Sequence, residues 1–153
     1  MALYPILKFI HVIVAIVALG ANITYTVWFI RAKRNPEALA FTLHTIKVID
    51  DYIATPAYVL LLPSGWILAS LAGWSLTLPW IFTSLILYAA VSVIGLGIYT
   101  PTLKKQISIA ERVGSNGREY KEISDRLNAI GVALNIVVLI IIYLMVIKPI
   151  LWG

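Results

Sequence analysis

Four long apolar blocks, separated by short polar connections, set the pattern of this chain: residues 6–30, 53–72, 80–99 and 129–147. Each approaches the ~20 residues that a helix needs to cross a ~30 Å hydrocarbon core. The first is broken only by Lys8, His11, Asn22 and a few hydroxyls. The connections between blocks also carry helical periodicity. Asn35-Pro36-Glu37 reads as a helix start, with Pro in the first turn and an acid after it. Leu39, Thr42, Ile46 and Ile49 then recur at helical spacing, so the second span is expected as one long helix with a polar-side extension. After Pro101, Leu103, Ile107 and Ala110 mark one face. Gly114-Ser115-Asn116-Gly117 is a turn, and Tyr120, Ile123, Leu127 and Ile130 mark the face that follows it. The expected fold is all-α: a single integral membrane domain over 1–153, a four-transmembrane-helix bundle with a cytoplasmic helical hairpin.

Composition strengthens this picture. Of the 153 residues, 61 % are hydrophobic and only 12 % charged, too little polar surface to coat a soluble globule. The absence of cysteine excludes thiol catalysis, an Fe–S cluster and a Cys-type zinc site. Lys8, an apolar stretch and Ala18-Leu19-Gly20 imitate a cleavable signal peptide, but the apolar run continues through Trp28-Phe29-Ile30. Trp80 and Trp152 stand at span ends, where interfacial aromatics are expected.

The net charge of +5 reports topology. Arg31, Lys33, Arg34 and Lys47 lie in the first connection, and Lys104, Lys105, Arg112, Arg118, Lys121 and Arg126 in the third. The 73–79 connection has no charge. The positive-inside rule then places both basic connections in the cytoplasm and both termini outside a cytoplasmic (inner) membrane. Contact with anionic headgroups of the lipid bilayer is expected there, and nucleic acid is not an expected partner.

Polar side chains within spans are costly in lipid and mark function by default. His11, Ala15, Ala18, Asn22, Tyr25 and Phe29 fall on one narrow stripe of the first span. That stripe reads either as a close helix-packing face or as a cofactor groove with His11 as an axial ligand. Asn128, Gly131 and Asn135 share a face of the fourth span, and Asn135 lies at the depth of Asn22, so the two amides could hydrogen-bond. In the second span Lys47 is placed to pair with Asp50 or Asp51, and His44, Asp51, Thr55 and Tyr58 share a stripe at α-helical spacing. Asp50 or Asp51 could take protons or hold a cation. Pro56 and Pro63 interrupt this helix. Ser84, Tyr88, Gly95 and Tyr99 form the polar side of the third span, where Gly95-Leu96-Gly97 suggests a close contact. His11 and His44 are about 25 Å apart along the membrane normal, too far to share one haem or metal. No hydrolase triad or acid/base pair stands at a plausible spacing.

Lys8-Phe9-Ile10-His11, the Ala-Leu-Gly-Ala-Asn turns of the first helix, Asp50-Asp51 with Pro56 and Gly65, and the basic loop after Pro101 together resemble a bacterial and archaeal family of predicted integral membrane proteins of unknown function. That family is similar in layout to CopD-like and HemJ-like membrane proteins, which open with a Lys-x-x-His motif. The resemblance implies haem b on His11, with iron ligation by that residue alone carried over. Three functions stay open. One is a haem-binding or redox protein using His11, Ala15, Ala18 and Asn22. Another is a small ion, solute or copper transporter with Asp50, Asp51, Asn22 and Asn135 along its path. The third is a non-enzymatic accessory subunit bound to a second copy or to another membrane subunit.

Overall fold

The computed structural model describes residues 3–34, 36–114 and 117–151. Asn35, the Ser115-Asn116 pair and Trp152 lie outside the described residues. Helix α1 is Leu3–Arg34, about 48 Å long and so longer than the hydrocarbon core alone requires. A short turn, Pro36–Ala38, leads into α2, Leu39–Leu71. Helix α3 runs from Pro79–Ile94 through Gly95–Tyr99 to Thr100–Val113, and α4 is Arg118–Ile147. All four are long and apolar enough to cross a membrane. The expected extensions are therefore the ends of the spanning helices themselves.

The helix ends follow from local chemistry. Gly73 has φ +67° at the end of α2, a conformation that suits glycine. Its N–H bonds Ser70 O at 3.2 Å and the Trp74 N–H bonds Ala69 O at 2.9 Å, which satisfies the last carbonyls. Pro79 then opens α3 in the first-turn position, where its missing N–H costs nothing. Lys148 ends α4 in the left-handed region, and Pro149 follows it.

Packing is uneven along the bundle. At the basic end, Leu43 and Ile46 of α2, Leu103 of α3 and Leu127 of α4 are almost fully buried with Tyr25 and Phe29 of α1. Gln106 donates to Tyr120 Oη at 3.1 Å inside this core. His44 Nε2 meets Glu111 Oε1 at 2.7 Å and ties the α2 and α3 extensions together on the surface. At the opposite end Ala69, Trp80, Ile81 and Leu144 form a second core. Trp80 is at the span end as expected but packs inward, edge-on to Trp74 at 5.2 Å, with Lys148 Nζ 4.2 Å above the Trp74 ring. Between the two cores the outward positions carry exposed Ile, Val and Leu, as a lipid-facing wall must.

Around the bundle, α1 packs on both α2 and α4, and α4 packs on α3. The circle does not close. No Cα of residues 50–71 lies within 8 Å of one of residues 79–99, so the backbones of α2 and α3 approach closely only in their basic-end extensions. Packed helix axes are usually 8–10 Å apart, with nearer approach between facing backbones. The spans of α2 and α3 are thus splayed.

Candidate functional site: a laterally open cavity between two widened turns

Two proline-containing sequences interrupt α2 and α3 in the same way. Asp50–Ala54 and Gly95–Tyr99 form π-helical turns, in which the Thr55 N–H reaches Asp50 O and the Thr100 N–H reaches Gly95 O. Each threonine is followed by a proline, Pro56 or Pro101. Proline has no N–H, and its ring collides with the carbonyl four residues back. A turn widened by one residue moves that carbonyl aside and lets the preceding threonine bond five residues back. Such bulges recur at functional sites. The two turns begin roughly 17 and 21 Å from the basic ends of their helices, by 1.5 Å per residue.

Both turns border a cavity of about 550 Å³ to which all four helices contribute. Its walls carry Asn22, Tyr25 and Phe29 from α1, Asp50, Thr55 and Tyr58 from α2, Tyr88, Ser92, Gly95 and Tyr99 from α3, and Asn128, Gly131 and Asn135 from α4. Val59, Leu62, Val93 and Leu96 also line it and are exposed on the outer surface, which places its mouth in the splay between α2 and α3. Tyr88 bridges that splay by donating to Tyr58 O at 2.6 Å. Asn22 Nδ2 donates to Tyr58 Oη at 2.6 Å. Gly131 lets the Tyr99 ring lie close: a Cβ there would stand 3.6 Å from Tyr99 Cε2.

Asp50 is 9 % exposed, and among the described residues no hydrogen bond or ion pair fixes its carboxylate. Lys47, whose charge reaches Asp50, is itself bound to Asp51. Tyr25, Tyr58 and Tyr99 stand within coulombic reach of the carboxylate. On two further lining residues a buried polar atom lacks a partner among the described residues: Tyr25 Oη, on a residue only 3 % exposed, and Asn135 Oδ1.

The expected site residues separate into two sets. Asn22, Asp50 and Asn135 share the cavity; His11, Ala15, Ala18 and Asp51 do not line it. Three expectations need correction. The Asn22–Asn135 bond is not made, because Asn22 is satisfied by Tyr58. Asp51 does not share the Thr55–Tyr58 face, because the widened turn brings Asp50 there and leaves Asp51 outside with Lys47. Gly95 and Gly97 make no close contact, since a Cβ at either would meet nothing within 4 Å. Gly95 borders the cavity instead. Spacing placed Tyr25 on the stripe of α1 and Tyr88 and Tyr99 on the polar side of α3, but not their convergence on one cavity; the two Thr-Pro doublets are the signal for the widened turns that border it.

His11 sits between α1 and α2. Its Nδ1 shares a hydrogen with Ser64 Oγ at 2.7 Å, and a Cβ on Gly65 would come 3.2 Å from its Cε1. A hydrogen bond on one ring nitrogen is what an axial ligand has. The remaining surroundings do not fit a porphyrin. The ring is laid against a neighbouring helix, and His11 does not border the cavity. Tyr58 is bound to Asn22 and Met145 packs into the tryptophan core, so neither is placed as a second iron ligand opposite His11. Among the described residues no three His, Asp or Glu side chains converge as a metal site.

The fold and site therefore define a four-span helical membrane protein with a laterally open, largely apolar cavity at its centre that carries a few polar groups. The chain matches, over residues 5–149, a family of predicted integral membrane proteins (DUF2269), and it belongs to that family. No curated protein and no solved structure matches it, and the wider likeness to CopD-like and HemJ-like proteins does not emerge.

Proposed function

We propose that this protein is a carrier for a small amphipathic solute that enters from the bilayer, with the central cavity as its binding site. One observation supports this most directly: a cavity of about 550 Å³, bordered by a buried acid, opens where α2 and α3 are splayed. The volume lies within the ~300–1,000 Å³ typical of small-molecule sites. Intramembrane acids that face a cavity commonly belong to substrate or ion pathways. The packed cores at either end leave the hollow middle as the part able to rearrange around a solute. In this reading the basic end faces the cytoplasm, by the positive-inside rule.

The test is saturable uptake into proteoliposomes across a panel of amphipathic compounds with cationic, neutral and anionic heads. At least one should show saturable uptake that Gly95→Leu removes. In that variant a side chain grows from the cavity wall, while a Cβ at this position clashes with nothing. No saturable uptake above protein-free vesicles for any member would overturn the proposal.

A further inference from the structure

The groups left unpartnered in the cavity define what the solute must offer. Asp50 presents a carboxylate without an ion-pair partner among the described residues. Asn135 Oδ1 is an acceptor without a donor. Tyr25 Oη, on a side chain more than nine-tenths buried, is likewise unpaired among the described residues, and both atoms lie behind the cavity wall rather than open to it. Tyr58 Oη already accepts from Asn22. Ionised, Asp50 only accepts and carries negative charge. The walls between them are aromatic: Tyr25, Phe29, Tyr58, Tyr88 and Tyr99. Ring faces attract cations, most strongly where water is excluded. Among the described residues no cationic side chain borders the cavity.

We infer that the solute is a lipophilic protonated amine, with its ammonium N–H groups on Asp50 and its cationic head among the tyrosine rings. This rests on the carrier reading above and names its substrate class. An anion would meet Asp50 without a counter-charge. A neutral head would leave the carboxylate buried and unpaired, which is costly. The apolar body fits the remaining walls and the lipid-facing mouth at Val59, Leu62, Val93 and Leu96.

Three compounds on one skeleton test this: 4-phenylbutylamine, 4-phenylbutan-1-ol and 4-phenylbutyrate. Binding to the full chain in lipid nanodiscs is measured by equilibrium dialysis, with empty nanodiscs subtracted. The amine should bind at least tenfold tighter than the alcohol or the carboxylate. Asp50→Asn should bring amine and alcohol to equal affinity, and Asp51→Asn should keep the preference. Alcohol binding as tight as the amine, abolished by Gly95→Leu, would overturn the amine assignment and leave the cavity as the site. Absence of binding by all three, or binding that Gly95→Leu leaves intact, would overturn both the assignment and the carrier reading. The comparison within the wild-type protein decides the question even if Asp50→Asn fails to fold.

Discussion

Tyr25→Phe offers a direct test of whether the cavity is held open for a ligand at the expense of stability. The Tyr25 ring is 3 % exposed and packs in the basic-end core, while its hydroxyl has no partner. Phenylalanine keeps the ring and deletes only the hydroxyl. A buried donor left unsatisfied costs about 1–3 kcal/mol, so its removal should stabilise the ligand-free protein by about 1 kcal/mol. For a chain of this length that is a rise of roughly 2–4 °C in melting temperature. Thermal unfolding in detergent, followed by near-ultraviolet circular dichroism, reads this directly. The same variant should bind 4-phenylbutylamine more weakly, since the wall ring loses the electron density that its hydroxyl supplies. Ser84→Ala is the control. Ser84 is 1 % exposed with an unpartnered Oγ but does not border the cavity. It should also stabilise, without loss of binding. A fall of more than 2 °C for Tyr25→Phe would show that the hydroxyl is satisfied in the folded protein and would refute the reasoning.

Three further outcomes follow from the packing. Leu43→Ala, at a position with 0 % exposure, should cost about 2–5 kcal/mol and lower the melting temperature far more than any cavity substitution. A double-mutant cycle on His44→Ala and Glu111→Gln should give a coupling below about 1 kcal/mol, because both side chains are more than half exposed despite the 2.7 Å contact. Gly65→Ala places a Cβ 3.2 Å from His11 Cε1. It should destabilise by about 1 kcal/mol as overpacking outweighs the helix-propensity gain. In a His11→Ala background the same change should become stabilising by a similar amount, and a sign that does not reverse would show that the imidazole is not what Gly65 accommodates.

What the sequence made legible depended on how regular the backbone is. Over α1 the α-helical period holds, so the stripe through Ala18, Tyr25 and Phe29 is buried as spacing predicts. The extensions were legible for the same reason: Leu39, Thr42 and Ile46 are buried along one uninterrupted face. Tertiary partners were less legible. Matching Asn22 to Asn135 by depth was sound about height, but Tyr58 from the adjacent helix reaches Asn22 first. His11 drew attention as the lone histidine of its span, yet Ser64 and Gly65 on α2 account for its position.

The deepest misreading, Asp51 for Asp50, came from applying a period of 3.6 across a turn that does not have it. Residues i, i+4 and i+7 share an α-helical face, which selects Asp51, Thr55 and Tyr58. A π-turn adds one residue, so the face reads i, i+5 and i+8, which selects Asp50, Thr55 and Tyr58, as observed around the cavity. The cause is written in the chain. Thr55-Pro56 and Thr100-Pro101 each deny a hydrogen bond to the carbonyl four residues before the proline, and the helix widens just upstream of both. In a soluble helix water could satisfy such a carbonyl. Within a span the backbone must satisfy itself, and the widened turn keeps Asp50 O and Gly95 O bonded through the threonine N–H five residues on. The same proline chemistry therefore brings a carboxylate into the cavity from α2 and sets Gly95, without a side chain, at its wall on α3.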